Sequence, residues 1–513
     1  FGAVPAWGAT LNVNGTTGTD SNSCGPVAAP CKTIGQAITN ASNGDTINVA
    51  AGTYSGNINI TKSLTLQATA GAASTKIVGS GGVAVTISAD NVTIDGFQIE
   101  NPTGNAAIRA DEQSYIIIKN NTVTDVNGSV SGTGNQGIAI VSSSSTAGIT
   151  DITIVNNQIS AIRHTAGGRS ATGIWIGNTH GSFNITGVVI QNNTISNIFA
   201  NTSPWGSGGY GAYGILINHT PGSGGGQTVG AQVLDNTISN LEGLWAHGIG
   251  LEGDTPNALV QGNTISNLVD HKSPSDAVAV HVEANPSAGT VAVHLNSFSS
   301  VNVGVNRTGS SVGTVNATNN WWGCVTGPNT AGCATASANV NFTPFLGAST
   351  VSTASLIGPG TLLVDNQIGP GSSVKVKGGE ATLTVAQYSS NPGTAFAASG
   401  NFVDVHLSDI TNVSSVIIKF CPANSNTTIF FFNGTGWVPA SNQQFDGAGC
   451  VIVTITPNST PNLNALTGLP LVPGGPGPGF PSLNEWGLLI LGLLLMSLLA
   501  WTVRRRGGSV SPT

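Results

Sequence analysis

Residues 188–198 read Val-Val-Ile-Gln-Asn-Asn-Thr-Ile-Ser-Asn-Ile, and the fold turns on how this stretch is read. The same phrase stands earlier as Ile152-Thr-Ile-Val-Asn-Asn-Gln-Ile-Ser-Ala-Ile162 and as Ser114-Tyr-Ile-Ile-Ile-Lys-Asn-Asn-Thr-Val-Thr-Asp-Val126. Shorter copies close on Asn236-Thr-Ile-Ser-Asn-Leu241, Asn263-Thr-Ile-Ser-Asn-Leu268, Asn296-Ser-Phe-Ser-Ser-Val301 and Asn319-Asn320-Trp321. The anchoring asparagines Asn121, Asn157, Asn193, Asn236, Asn263, Asn296 and Asn320 lie 24 to 43 residues apart. The shortest step is the bare coil, and longer ones carry loops such as 202–210 and 221–228. Such a period with insertions is the mark of a solenoid. Within each copy apolar residues alternate, as in Ile152 and Ile154 or Ile215 and Ile217, so the units are short strands and not helices. One coil has no core. Stacked about 4.8 Å apart, coils pair strand on strand and bury their Ile and Val columns. The repeated Asn is expected where strand turns into strand, adopting the left-handed conformation and bonding its counterpart in the next coil.

Composition agrees. The chain has 513 residues, 39% hydrophobic and only 7% charged, with 70 glycines and a net charge of −7. A typical globular chain is about 25% charged, and coiled coils or bundles need that charge on their outer faces. Fifteen Lys and Arg spread over the whole length cannot form a phosphate-neutralising stripe, so nucleic acid is not an expected partner. Thr, Asn, Ser, Gly, Ile and Val dominate instead, the vocabulary of strands and turns.

Both ends of the repeat region have their own signatures. Cys31-Lys-Thr-Ile-Gly-Gln-Ala-Ile-Thr-Asn-Ala-Ser42 is amphipathic, with Ile34, Ala37, Ile38 and Ala41 on one face, and predicts a capping helix over about residues 31–42. Gly44-Asp-Thr-Ile47 and Ala51-Gly-Thr-Tyr54 follow it, and Asn320-Trp-Trp-Gly323 with Thr343-Pro-Phe-Leu346 closes the region. With the repeats, this order resembles exported bacterial β-helix repeat proteins of the pectate-lyase-like superfamily. The resemblance implies a right-handed parallel β-helix over residues 1–348, the hand that strand twist favours.

Beyond it, strands predicted at 361–364, 373–376, 381–385, 402–407, 415–420, 428–432 and 450–455 suggest a β-sandwich over residues 349–472. Residues 473–481 (Pro-Gly-Gly-Pro-Gly-Pro-Gly-Phe-Pro) read as a linker that is neither helix nor strand. Trp486 to Val503 is uncharged and as a helix spans about 27 Å, close to a bilayer core. Arg504, Arg505 and Arg506 follow and place the C-terminus in the cytoplasm. Pro481, Ser482, Leu483, Glu485, Trp486 and Gly487, then the apolar span and the arginines, resemble the sorting tails of the IPTL-CTERM family, with Phe480 and Ser482 where that family has Ile and Thr. The resemblance makes 482–513 a sorting or transmembrane-type tail. It implies export, membrane partnership through 486–503 and handling by exosortase-type machinery in a Gram-negative bacterium. The first residue, Phe1 and not Met, is read as the trace of a removed export signal.

Six cysteines fall in close pairs, Cys24 with Cys31, Cys324 with Cys333 and Cys421 with Cys450. Proximity favours three local disulfides and so an oxidising compartment. The competing metal reading has no CxxC or His-rich spacing behind it. Neither a metal nor a cofactor is expected.

Polysaccharide lyases and hydrolases on this fold need clustered carboxylates, to bind Ca²⁺ beside a basic catalyst or to act as an acid/base pair. Aligning the coils that begin at Gly137, Gly173, Gly214, Gly248 and Ala277 stacks Val141, Gly177, Asn218, Glu252 and His281 on one outer face. Ser143, Thr179, Thr220, Asp254 and Glu283 come two residues further on. Glu252, Asp254, His281 and Glu283, with His247 and His219 near them, form the patch where acid and imidazole can meet, as an acid/base site, a weak metal site or a solvated hydrogen-bonded face. Trp175, Trp205, Tyr210, Tyr213 and Trp245 are candidate sugar-stacking residues or a cover for the sheet beneath the loops. His164, His180, His271 and His294 read as loop or surface residues. The expected role is a non-enzymatic structural protein of the cell surface that self-assembles into a filament, sheath or matrix. The alternatives are a carbohydrate-active β-helix enzyme and an exopolysaccharide-binding surface protein.

Overall fold

Successive coils pair strand on strand in three parallel sheets. In the first, which runs from Thr10–Val13 to Val340–Asn341, Ile118, Ile154, Ile190, Val233, Val260 and Val293 form one inward column, each the direct partner of the next. All six are buried, and they belong to a single core that reaches from Leu11 to Val340. The second sheet runs from Gly52–Ser55 to Ser297–Ser299 and the third from Ile58–Ile60 to Thr335–Ala336. This computed structural model describes residues 8–474 apart from 129–133, 143–146, 166–168, 180–182, 201–209, 220–225, 273–275, 284, 286, 310, 350, 354–370, 380–382, 389, 408–409 and 467–468.

The asparagine repeat is a ladder at the corner between the first and second sheets. From Asn121 to Asn320, each Nδ2 donates to the Oδ1 of the next Asn at 2.9–3.1 Å. Each backbone N–H of Asn121 through Asn296 donates to the same oxygen, so every rung is tied twice. The left-handed residue is not the ladder Asn but the one before it. Asn120, Asn156, Asn192, Asp235, Gly262, Leu295 and Asn319 take φ between 54° and 71°. That corrects the expected placing by one position. The ladder side chain must point inward to reach the next coil, so its neighbour makes the turn.

A helix over Ile34–Asn40 covers the first coils, capped by the Thr33 hydroxyl, which accepts from the Gln36 N–H. It is shorter than the 31–42 expected, because Cys31 bridges to Val13 and Ala41 is already extended. At the other end the buried Trp322 meets Phe298 edge-on at 5.3 Å and Phe342 at 6.2 Å, closing the core with aromatic bulk. All three expected disulfides are formed.

From Val351 on, strands run antiparallel in two sheets that share one core, Val374, Val416 and Ile418 from one with Leu383, Val405 and Ile429 from the other. The expected linker begins too early. Leu471–Gly474 is a strand between Val403–Leu407 and Thr428–Phe432, with Pro473 opposite Ile429. Pro473 offers a carbonyl and no N–H, and Ser399 takes that carbonyl through its N–H at 2.8 Å and its hydroxyl at 3.1 Å. This region also docks on the solenoid, through Leu295 and Leu346 against Ala386 and Tyr388 and through Gln261 against His406. The expected strand 361–364 and the tail 482–513 lie outside the described residues. Among those described, no helix is long and apolar enough to cross a membrane.

Candidate functional site

The outer face of the third sheet positions the candidate residues, and its register differs from the sequence alignment at one coil. Val141, Gly177, Asn218, Glu252 and Glu283 are successive partners, and His281 lies opposite Gly250. The expected pairing of Glu252 with His281 is therefore off by two. Gly137, Gly173, Gly214 and Gly248 mark the four coils before that of His281, whereas here Ala279, not Ala277, stands at that place. A Cβ at Gly248 would lie 2.6 Å from the Ile265 Cγ2 on the facing sheet, which is why glycine recurs there.

The true register places two carboxylates side by side and two imidazoles on one another. The rings of His247 and His281 stack at 4.1 Å with 21° between their planes. Tyr213 meets His247 edge-on at 5.3 Å. Gly250 lets this happen, since a Cβ there would come within 3.3 Å of the Tyr213 ring. Trp245 Nε1 donates to the Tyr213 hydroxyl at 2.8 Å, and Lys272 sits 5.6 Å over the Trp245 ring. His281 Nε2 is 3.3 Å from Glu283 Oε2, and His247 Nδ1 is 3.7 Å from Glu252 Oε1, too far for a hydrogen bond.

Burial sets the protonation. His247 is 5% exposed and is pushed down to about 4, so it is a neutral imidazole at neutral pH. The hydrogen bond from His281 holds Glu283 below the usual carboxylate range. Burial, reinforced by the charge of Glu252, pushes the Tyr213 phenol well above 10. Together these groups line a cleft of about 420 Å³, to which Asn306 and Thr308 add polar atoms and Lys272 and Asp276 an ion pair at 3.6 Å.

The structure does not bring every candidate here. Asp254 ties loops instead, accepting from Gln227 Nε2 and from the Ser287 N–H. His219 ends its strand, paired with Asn178 of the preceding coil and beside Gly253 of the following one. Trp175 is on the same face, two coils before Glu252 and three before Glu283, donating to Asn218 Oδ1 at 2.7 Å with Arg109 5.9 Å above its ring. Tyr210 lies 6.4 Å from Trp245 under Arg169. Trp205, His180, Ser143 and Thr220 lie outside the described residues. Of the aromatic candidates, Trp175, Tyr210 and Trp245 are half-buried, whereas Tyr213 is buried and supports the site from below. His164 is fully buried, not a surface residue. Lys272, Asp276, Asn306 and Thr308 were not anticipated. The first two fall in a stretch of sequence without repeat pattern, and the last two depend on the corrected register. Among the described residues no group of three His, Cys, Asp or Glu converges as a metal site.

Residues 16–76, which hold the capping helix and the first coils, match a β-helix family model described as "Protein of unknown function (DUF1565)". No curated protein sequence matches the chain. Among solved structures it is similar to a Dettilon tailspike protein, at 13% identity and a TM-score of 0.30, over 86% of this chain and 89% of that one. It is also similar to an alginate lyase from a Paenibacillus species, at 15% identity and a TM-score of 0.34, over 64% and 99%. A third is tailspike protein 2 of bacteriophage CBA120, at 12% identity and a TM-score of 0.32, over 87% and 71%. Likeness at this level assigns the chain neither a substrate nor a reaction.

Proposed function

We propose that this protein engages glycans on the outer face of its third parallel sheet. The reading rests on one observation, a cleft that joins a half-buried Trp245, a buried Tyr213, two stacked imidazoles and paired carboxylates on adjacent rungs. Saccharide chains are recognised by such a mixture, since a sugar has one apolar face for a ring and a rim of hydroxyls for acceptors. The groups whose protonation the site sets, His247 and Glu283, are both proton acceptors at neutral pH. That suits holding hydroxyls, so binding leads and turnover comes second. A structural role in a self-assembling filament, sheath or matrix leaves this cleft unaccounted for.

Delivery to the cell exterior is part of the same proposal. Three disulfides fit an oxidising compartment, and the tail 482–513 supplies sorting by exosortase-type machinery and a membrane anchor at 486–503. Loss of surface display when residues 481–513 are removed is the expected result for that half.

Titration of the whole chain with a panel of neutral, basic and acidic polysaccharides should reveal binding that Trp245→Ala weakens about tenfold, or about 1.4 kcal/mol. Reducing-end release in the same samples reports any turnover. Equal binding by parent and Trp245→Ala across the panel would remove the cleft from the explanation.

A further inference from the structure

The electrostatics of this cleft select among glycans, and the selection rests on the glycan reading just given. Glu252 and Glu283 are direct partners on neighbouring strands, which lie about 4.8 Å apart. Like charges placed opposite one another in a sheet repel. His281 and the charge of Lys272 hold the Glu283 carboxyl low, yet Glu252, Glu283 and Asp276 face a single ammonium across the described lining. Lys272 is the one Lys or Arg among the described residues lining the cleft, and it is already paired with Asp276 at 3.6 Å. The His247 imidazole in the same cleft adds no fixed charge, because burial keeps it neutral. A second feature points to a missing ligand. The Nδ1 atoms of His247 and His281, in side chains 5% and 7% exposed, have no hydrogen-bond partner. Buried polar atoms are nearly always satisfied, so two orphans in the stacked rings that line the cleft point to a partner the chain alone does not supply.

We infer that the glycan taken here bears free amino groups, as in a de-N-acetylated hexosamine polymer, and not carboxylates. An ammonium placed between Glu252 and Glu283 donates to both and relieves their repulsion, in a charge-assisted hydrogen bond stronger than a neutral one. A uronate brings a third negative charge to a site with no unpaired cation. An N-acetylated or neutral sugar stacks on Trp245 equally well but leaves the carboxylate pair uncompensated. The hexose ring covers Trp245 and the amino group sits between Glu252 and Glu283, all in the lining of one cleft.

The test compares three oligosaccharides of equal length, chitosan, its fully N-acetylated counterpart and oligogalacturonate, by calorimetric titration of the whole chain. The expected order is chitosan at least tenfold tighter than the acetylated oligomer, with no binding of oligogalacturonate. Raising salt from low to about 0.5 M should erase most of that preference, as screening shortens the reach of the carboxylates. Glu252→Gln with Glu283→Gln keeps size and most hydrogen bonds while removing both charges. It should bring the two hexosamine oligomers to equal affinity without changing the melting temperature by more than a few degrees. If the amide variant binds chitosan as well as the parent, the attraction is the general negative charge of the chain, and the inference falls. Tighter binding of the acetylated or acidic oligomer overturns it while leaving the glycan reading in place. Binding of no saccharide at all overturns both.

Discussion

Asn193→Ala should cost about 3–5 kcal/mol of stability. The Asn193 amide donates to Asn236 Oδ1 at 3.0 Å, to the Ile154 carbonyl at 2.8 Å and to the Gln191 carbonyl at 3.0 Å. Its oxygen accepts the backbone N–H and the Nδ2 of Asn157, both at 3.0 Å. Two N–H bonds serve the three acceptors, so about four hydrogen bonds vanish at about 1 kcal/mol each, and no water reaches a position 1% exposed to satisfy the groups left behind. A cavity between coils adds to the loss. Thr194→Ala, one residue on and exposed, is the control and should stay within about 0.5 kcal/mol of the parent. Denaturant unfolding followed by circular dichroism reads both. Two variants that unfold together would mean that inward Ile and Val packing, not the ladder, holds the coils in register.

The ladder was legible because it repeats. Seven asparagines in the same phrase leave little room for another reading, and the alternating Ile and Val around them fix which face is inward. What repetition cannot supply is the exception. Ala279 in place of glycine shifted one coil by two residues and hid the pairing of Glu252 with Glu283. Pro473 looked like a linker residue because proline usually stops a strand, yet here the strand needs only its carbonyl. The docking of the antiparallel sheets on the solenoid left no trace in the sequence. Gln261 and His406 meet across 145 residues, and neither belongs to a pattern. Contacts between units depend on shape at long sequence distance, whereas contacts between coils are written as periodicity. The imidazole stack belongs to the first kind, since His247 and His281 sit in different outward columns and meet diagonally across Gly250.

That docked joint yields the last prediction, a stability gain from Asp235→Asn that appears only above acid pH. Asp235 sits in the left-handed corner position that Asn120, Asn156 and Asn192 fill in earlier coils, so an amide fits without backbone strain. It is 9% exposed and faces Thr384 of the docked sheet and Gln191 of the neighbouring coil. Burial outweighs their help and raises its carboxyl from 3.8 to about 7. A carboxyl raised on folding contributes stability that is present below 3.8 and lost as pH climbs to about 7. Holding a proton that much more tightly corresponds to about 4 kcal/mol, the upper limit of what the parent forfeits at pH 7.5. His406, across the joint, has the opposite sign. Burial lowers it from 6.5 to about 4, so its contribution is present above 6.5 and lost as pH falls through 4. Asp404 accepts from Tyr388 at 3.2 Å and His294 donates to the Thr318 carbonyl at 3.0 Å, and both are common to parent and variant. Between pH 4 and 6.5 the slopes of Asp235 and His406 cancel in the parent. In Asp235→Asn the histidine is unopposed, so the variant should exceed the parent at pH 7.5, converge on it near pH 4, and fall more steeply between. Scanning calorimetry at pH 4, 5.5 and 7.5 reads this directly. A melting-temperature gain of equal size at all three values would show that the amide acts through the turn alone and that Asp235 carries no extra proton in the folded chain.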